Sequence, residues 1–332
     1  MTSRRIRLAP APIWLIALVL VLGVGHSAHG LLARQRPAGT RTLETIQIRP
    51  NVFVIFGAGS NVAVHVGADG VILVDSGSAA MADDLRRTVK AITDQPIRLI
   101  INTSADADHV SGNESLGNDG VQINPDAFSD VKRATVLAHE NVLMRMSTPI
   151  GNEPPFSVAA WPSETYTSRT RSMYLNDDAV MVLRHVGAHS DGDSMVLFRR
   201  ADVIVTGDIL DLRHFPVIDP ARGGGILGEI EALNRLLELT VPAMPLVYKA
   251  GRTLLVPGHG RVSDYGELVE YRDMVTVIRD IVQDMIKKRM TLAQVKAANP
   301  TQGYRRRYGS DTGEWTTEMF VEAVFNGLSP KK

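Results

Sequence analysis

The first half of the chain alternates short apolar runs with glycine-containing breaks. Runs rich in β-branched and aliphatic residues lie at 45–49, 52–56, 62–66 and 71–74. Apolar runs of this length, bounded by turn-forming residues, are typical of β-strands. The pattern therefore predicts a meander of strands.

A helix and a further strand are predicted after this meander. Residues 79–93 place Met81, Leu85 and Val89 at helical spacing on one face. Residues 97–101 then form a short and mostly apolar run. The two segments complete a strand, helix, strand unit.

The second half repeats this arrangement on a larger scale. Residues 130–146 predict a helix, and the proline-containing stretch at 147–172 predicts a long loop that borders the site. Further strands are predicted at 173–175, 180–185, 195–199, 203–205 and 253–256. Further helices are predicted at 228–239, 267–288, 292–298 and 315–328.

Two β-rich halves, each flanked by helices, predict an α/β fold of four layers. In this αββα sandwich, two β-sheets pack face to face and the helices lie outside. The chain has 332 residues, of which 44% are hydrophobic, so it can bury a large core. We interpret residues 42–332 as one domain with helices at its C-terminal end, preceded by a linker at 31–41.

The first thirty residues have the pattern of a secretory signal peptide. Arg4, Arg5 and Arg7 precede an apolar run at 13–24, and small residues follow at 27–30. A transmembrane helix needs about 20 apolar residues, which is longer than this run. We therefore expect an exported protein, periplasmic or secreted. Contact with the membrane is expected only if this segment stays uncleaved as an anchor.

The charge balance and the absence of cysteine limit the chemistry. The chain has 36 basic and 36 acidic residues, so no overall field favours a nucleic-acid partner. With no cysteine, a thiol nucleophile and a cysteine-bound zinc are both excluded. A metal site in this chain must use histidine, aspartate and glutamate.

Ligand-type residues are concentrated directly after the predicted strand at 97–101. Asp106, Asp108 and His109 follow this strand in a polar segment. A loop that directs several such side chains into one cavity is suited to a metal ion. The alternative is a helix N-terminus, in which Asp108 caps a helix that starts at Val110. This segment alone does not decide between the two.

Three later residues occupy similar positions. His189 lies between two predicted strands, while Asp208 and His259 each follow the end of one. Functional groups often collect on loops at strand ends. Taken singly, each residue is better explained as a turn, capping or surface residue.

Taken together, these segments resemble the metallo-β-lactamase superfamily, whose motifs occur here in the same order over nearly all of the predicted mature chain. The matching segments are Val74-Asp75-Ser76-Gly77, then Ser104, Asp106, Asp108 and His109 of the His-x-His-x-Asp-His signature, then Ala188-His189-Ser190-Asp191-Gly192-Asp193, Thr206-Gly207-Asp208 and Pro257-Gly258-His259-Gly260.

The resemblance implies the metallo-β-lactamase fold and a centre for one or two divalent ions. One metal position is complete, because Asp108, His109 and His259 match its ligands and Asp208 matches the bridging aspartate. For catalysis, the resemblance implies that Asp108 orients the attacking water or carries its proton.

The other metal position departs from the pattern. His189 matches its third histidine, but Ser104 and Asp106 stand where the signature has its first two histidines. Serine is a poor zinc ligand, whereas Asp106 can bind a metal. A carboxylate also favours Mn or Fe beside Zn. Three outcomes fit: one zinc, two ions with an altered first position, or a metal site without efficient turnover.

The resemblance implies a metal-dependent hydrolase, and the pattern of the first thirty residues adds that the protein is exported. Its substrate is a small molecule with an ester-like or amide-like bond, as in a β-lactamase, cleaved by metal-activated water. Lactonase and glyoxalase-like thioesterase activities are alternatives, because one fold hosts many reactions. The rival from another class is a metal-binding protein with weak or no turnover.

Two further features have predicted roles outside this ligand set. His139, in the predicted helix at 130–146, is interpreted as a packed or supporting histidine. The run Arg222-Gly223-Gly224-Gly225 precedes a predicted helix and is interpreted as a flexible loop near the substrate, with an anion site as the alternative.

Overall fold

The computed structural model describes residues 43–123, 132–149, 155–244 and 251–330. The predicted signal peptide at 1–30 and the linker at 31–41 lie outside these residues. Their interpretation stays a prediction.

A first sheet is formed by seven strands of the described chain, β1 to β7, in sequence order. Strands β1 to β4 form the predicted antiparallel meander, and β4 to β7 run parallel to one another. The strands are Glu44–Arg49 (β1), Val52–Ala58 (β2), Ser60–Gly67 (β3), Gly70–Val74 (β4), Ile97–Ile101 (β5), Thr135–His139 (β6) and Glu164–Tyr166 (β7).

A second sheet contains five strands of the described residues in the order β12-β11-β10-β9-β8. Its neighbours are antiparallel except for β11 and β12, which are parallel. The strands are Thr170–Leu175 (β8), Asp178–Arg184 (β9), Ser194–Phe198 (β10), Val203–Asp211 (β11) and Leu254–His259 (β12).

The helices connect these strands and extend the C-terminal part of the chain. Within the described ranges, none of them combines the length and apolar character that a membrane crossing requires. The helices are Ala82–Ile92 (α1), Ala107–Val110 (α2), Asn113–Asn118 (α3), Glu140–Ser147 (α4), Ile226–Leu239 (α5), Tyr265–Lys287 (α6), Leu292–Ala297 (α7), Arg305–Tyr308 (α8) and Thr317–Leu328 (α9).

The buried side chains define four layers. Leu99 of the first sheet and Val205 of the second belong to one apolar cluster between the two sheets. The opposite face of the first sheet packs on α1 through Leu85. The opposite face of the second sheet packs on α5, α6 and α9, with Leu233 and Phe320 fully buried. The predicted α/β sandwich with helices outside is confirmed.

The predicted helix at 130–146 is wrong over its first part. Residues 130 and 131 lie outside the described chain, Thr135–His139 is strand β6, and helix α4 begins only at Glu140. Strand β6 lies between two parallel neighbours, and its last four residues are buried. A strand buried on both faces is continuously apolar, and periodicity does not distinguish it from a buried helix.

The predicted loop at 147–172 is shorter in the structure. Strand β7 adds Glu164–Tyr166 to the edge of the first sheet, and β8 begins at Thr170. Residues 150–154 of this segment lie outside the described chain. The segment therefore contributes sheet edges in addition to a connection.

The topology brings several strand ends to one side of the sandwich. Strands β4, β5 and β6 are parallel, so their C-terminal ends are neighbours in the first sheet. The parallel strands β11 and β12 also have neighbouring C-terminal ends in the second sheet. Asn61 of β3 donates hydrogen bonds to the carbonyl oxygens of Pro257 and Gly260, both at 2.9 Å, which ties the two sheets together at this edge. Asp106, Asp108 and His109 follow β5, as predicted, whereas Asp208 lies within β11 and His259 is the last residue of β12, because both strands extend further than predicted.

Candidate metal centre

The structure brings the six predicted ligands into two neighbouring groups. Each residue offers one ligand atom, and within each group these atoms lie within 4.8 Å of one another. The first group is Asp108, His109 and His259, and the second is Asp106, His189 and Asp208. Asp208 lies between the two groups, because its carboxylate is also 3.3 Å from His109 Nε2 and 3.5 Å from His259 Nε2, and it is counted with both.

His109 is fixed by the aspartate at the end of β4. Its Nδ1 lies 2.8 Å from Oδ2 of Asp75, and that oxygen also accepts the Thr103 hydroxyl at 2.7 Å. Asp75 Oδ1 accepts the Thr103 backbone N–H at 2.8 Å. A neutral His109 therefore carries its proton on Nδ1, where it donates to the Asp75 carboxylate, and offers Nε2 as a ligand atom.

The backbone of Asp75 adopts a conformation that most residues avoid. Its φ is 64°, in the left-handed region, and its side chain is buried. Aspartate tolerates this region better than most residues, and such conformations persist where surrounding contacts hold them. Asp75, of the Val74-Asp75-Ser76-Gly77 segment, thus supports the centre structurally by holding His109 and Thr103.

Asp208 is placed by a break in the strand pairing of β11. The register with β12 shifts on both sides of Gly207, which has φ 53°. A Cβ at Gly207 would also collide with the side chain of Thr103. Glycine allows the strand to kink here, and the kink brings the Asp208 carboxylate to 3.3 Å from His109 Nε2.

His259 and Asp108 complete the first group. His259 ends β12, and its Nε2 lies 3.1 Å from Asp108 Oδ2 and 3.5 Å from Asp208 Oδ1. The Asp108 side chain is 37% exposed, whereas that of Asp208 is 11% exposed. Asp108 is therefore the carboxylate of this group with the greater access to solvent.

Asp108 does not act as a helix cap. The helix α2 starts at Ala107, so Asp108 lies inside its first turn, and Asp106 occupies the capping position without making a capping hydrogen bond. The Ser60 hydroxyl holds the Asp108 carbonyl at 2.8 Å, which leaves the carboxylate directed to His259.

The second group is joined by direct ion pairs. Asp106 Oδ2 lies 2.9 Å from His189 Nε2, and Oδ1 accepts a hydrogen bond from Arg222 Nη1 at 2.7 Å. His189 Nδ1 lies 2.8 Å from the carbonyl oxygen of Val217. Both ring nitrogens of His189 face acceptors, so both carry protons in this arrangement.

Ser104 is buried and turned toward its own loop. Its Oγ accepts the Asp106 backbone N–H at 3.2 Å. The serine thus shapes the loop that presents Asp106. That Ser104 and Asp106 replace two histidines of the signature stays a prediction.

The electrostatics of the centre reflect an excess of carboxylates. Burial lowers the pKa of His109, but the charges of Asp208 and Asp75 outweigh burial and raise it well above its ordinary value. Burial likewise lowers the pKa of His189, and Asp106 reverses this effect. Raised histidine pKa values indicate a site that favours additional positive charge.

Two buried atoms test whether an ion fits the first group. His109 Nε2 and Asp208 Oδ1 are buried, and neither has a hydrogen-bond partner among the described residues. His109 Nε2 lies 3.3 Å from Asp208 Oδ2, and Asp208 Oδ1 lies 3.5 Å from His259 Nε2. Buried polar atoms are nearly always hydrogen-bonded, so neighbouring ligand atoms without a hydrogen bond point to an ion. The imidazoles of His109 and His259 and the carboxylates of Asp108 and Asp208 are ligands that zinc accepts. The first group therefore fits a divalent ion.

Two residues of this region were not predicted from the sequence: Arg222 as a partner of Asp106, and Glu229 as a buried acid beside the centre. Glu229 is fully buried in α5, and neither carboxylate oxygen has a hydrogen-bond partner in the described chain. Burial, with Asp193 nearby, raises the pKa of Glu229 well above its ordinary value. Glu229 lies three residues after Ile226 and next to Ile230. This spacing places it on the apolar face of the helix and could have indicated its burial.

His139 is a packed residue, as predicted, but it does not lie in a helix. It ends β6, accepts the Asn141 backbone N–H at 3.1 Å, and contacts the Tyr166 ring edge to face at 5.3 Å between centroids. It thereby caps α4.

Comparison with known proteins supports the family resemblance over the part of the chain that holds its first two motifs. Residues 55–120 match the model of the metallo-beta-lactamase superfamily, a segment that includes Asp75 and the loop from Ser104 to His109. No curated protein matches the chain.

Solved structures share the fold at low identity. A metallo-beta-lactamase from Pontibacter korlensis is 17% identical, with 70% of this chain and 99% of that chain covered and a TM-score of 0.54. The metallo-beta-lactamase DIM-1 is 13% identical, with 70% and 97% covered and a TM-score of 0.53.

The structure of a second kind of enzyme matches a larger part of this chain. The stereoselective inverting sec-alkylsulfatase Pisa1 from Pseudomonas sp. is 14% identical, with 86% of this chain covered and a TM-score of 0.61. The match spans 51% of the alkylsulfatase, about half its length.

These findings confirm the resemblance to the metallo-β-lactamase superfamily, and the chain has the fold of its hydrolases. The assignment of individual ligands stays a prediction, now supported by the geometry described above.

Proposed function

We propose that this protein is an exported metal-dependent hydrolase that cleaves an ester-like or amide-like bond in a small molecule. The observation that carries the proposal is that two buried atoms of neighbouring ligands, His109 Nε2 and Asp208 Oδ1, have no hydrogen-bond partner among the described residues. Asp108, His109, Asp208 and His259 would hold the ion. Zinc suits these ligands best, with Mn or Fe as alternatives.

The residues around the ion have separable tasks. A bound divalent ion supplies Lewis-acid chemistry, which lowers the pKa of water to about 7 and polarises a substrate oxygen. Asp75 keeps the proton of His109 on Nδ1, so that Nε2 stays a ligand atom. Asp108 has access to solvent, and its carboxylate can orient the attacking water and accept its proton.

The substrate class follows from the fold neighbours rather than from the centre. Two neighbours named as metallo-beta-lactamases support a β-lactam or a related amide or lactone. A third neighbour, named as an alkylsulfatase, matches a larger part of this chain. It supports sulfate esters, beside thioesters, as candidate ester-like substrates. Export rests on the pattern of residues 1–30.

A metal-binding protein with weak turnover is the second candidate. It is favoured by the contact between Asp106 and Arg222, which engages a carboxylate of the second ligand group in an ion pair. This candidate shares the metal and differs only in the rate of hydrolysis.

The test combines metal analysis with a hydrolysis screen of purified protein. We expect stoichiometric zinc and hydrolysis of one class among β-lactam, lactone, thioester and sulfate-ester substrates. His109→Ala should lose both the metal and the activity, whereas His185→Gln, a change at a histidine outside both ligand groups, should keep both. Metal without turnover would favour the second candidate, and absence of metal from the wild-type protein would refute both.

A further inference from the structure

Arg222 forms the shortest ion pair of the second ligand group. Its Nη1 donates to Asp106 Oδ1 at 2.7 Å, and both side chains are about one-fifth exposed, at 21% and 22%. Its Nε lies 3.3 Å from Asp219 Oδ2. A charge-assisted hydrogen bond of this length in a partly buried setting is among the stronger polar contacts in proteins.

The backbone that carries Arg222 is held in place. Pro220–Arg222 form a short 3₁₀ turn, which Asp219 caps by accepting the N–H groups of Ala221 and Arg222. The Arg222 carbonyl accepts the Asp191 N–H at 2.8 Å, and the His189 carbonyl accepts the Asp219 N–H at 2.9 Å. These two backbone hydrogen bonds therefore hold the loop that was predicted to be flexible against the loop that contains His189.

Glycine allows this close approach of the two loops. A Cβ at Gly224 would overlap the carbonyl oxygen of His189, and Gly223 adopts φ 84°. The glycine run thus serves the close packing and the turn geometry of the loop that carries Arg222.

The two ligand groups differ in what their atoms already contact. In the first group, His109 Nε2 and Asp208 Oδ1 have no hydrogen-bond partner within the described ranges. In the second group, Asp106 uses one oxygen for Arg222 and the other for His189. The carboxylates of the first group pair with histidines in the described chain, whereas the second group holds the permanently charged guanidinium of Arg222.

We propose that the Arg222 guanidinium takes the place of a second metal ion, so that the protein binds a single divalent ion and Asp106 is not a ligand. This inference rests on the proposed function, because it takes the first group to be a metal site. It also assigns a reason to the aspartate at position 106, which supplies the carboxylate that Arg222 pairs with.

The test counts ions per chain. Metal-free protein is titrated with Co²⁺ by calorimetry, and the visible Co²⁺ spectrum is recorded in parallel. Wild-type protein should bind one ion, and Arg222→Gln should bind a second ion because Asp106 becomes free to act as a ligand with His189 and Asp208. Arg145→Gln is the matched control, since Arg145 pairs with Asp191 at 2.6 Å without touching Asp106, and it should bind one ion.

Two ions in the wild type, or one ion in Arg222→Gln, would overturn the inference. A wild-type protein that binds no Co²⁺ would instead refute the proposed function, and this inference with it. Asp106→Asn gives a test that does not depend on the folding of the arginine variant. It should bind one ion with an affinity within about threefold of the wild type, and a tenfold loss would show that Asp106 is a ligand.

Discussion

Replacing Asp75 with asparagine tests how the protein sets the metal-binding form of His109. Asp75 accepts three hydrogen bonds, from the Thr103 N–H, the Thr103 hydroxyl and His109 Nδ1. Asparagine keeps the shape and tolerates the φ of 64°. It offers only one acceptor oxygen, with an NH₂ group in place of the other.

Both orientations of the new amide disturb the centre. With its oxygen toward the Thr103 N–H, the NH₂ group faces His109 Nδ1 and moves the histidine proton to Nε2, the ligand atom. With the amide reversed, two donors face each other at Thr103. Losing a group that orients a metal-bound histidine lowers metal affinity about 10- to 100-fold, which is about 1.4–2.7 kcal/mol.

The affinity is measured by Zn²⁺ competition against a chromophoric chelator at pH 7. The matched control is Asp178→Asn, because Asp178 is equally buried and accepts two backbone N–H groups at 2.6 and 3.0 Å at the opposite end of β9 from the His189 loop. The control should keep zinc affinity within about twofold. If Asp75→Asn binds zinc as tightly as the wild type, the tautomer argument is wrong.

Three further outcomes follow from the described contacts. The folded protein retains the Glu229 proton that the unfolded chain releases above its ordinary pKa. Stability should therefore fall as pH rises above the ordinary pKa of 4.5, by up to about 1.4 kcal/mol per unit, until the raised pKa of the folded state is passed. Urea unfolding with chelator present should show this slope in the wild type, and a parallel slope in Glu229→Gln would contradict the assignment. Gly112→Ala should cost about 1–3 kcal/mol, since a Cβ there overlaps the Ser76 carbonyl; Gly303→Ala, in open space, should cost far less in the same urea assay. Removing metal with EDTA should lower the thermal midpoint, because an ion at 100 times its Kd stabilises the folded state by about 2.7 kcal/mol; an unchanged midpoint would argue against a bound ion.

The regular elements could be predicted from the sequence because their local patterns and tertiary contacts agree. The helix at 79–93 is found at Ala82–Ile92 after a short 3₁₀ turn, with Leu85 and Val89 buried as their spacing indicates. The meander and the two-sheet sandwich follow in the same way. Strand β6 could not be separated from a helix, because its type is set by the parallel neighbours that surround it.

The residues of the centre could be predicted from motif order, but their pairing could not. Asp106 and Arg222 are 116 positions apart, and neither residue type indicates the other. Their contact depends on the turn at Pro220–Arg222 and on the close approach at Gly224, which only the folded chain shows. The glycine run was therefore predicted to be flexible, whereas hydrogen bonds and close packing hold it in place in the structure.

The central claim is that the first ligand group holds a divalent ion. The most direct measurement is anomalous scattering at the zinc absorption edge from crystals of the protein grown with Zn²⁺. We predict a single strong peak among Asp108, His109, Asp208 and His259. Absence of a peak at these four residues, or a peak at Asp106 and His189 alone, would contradict the account.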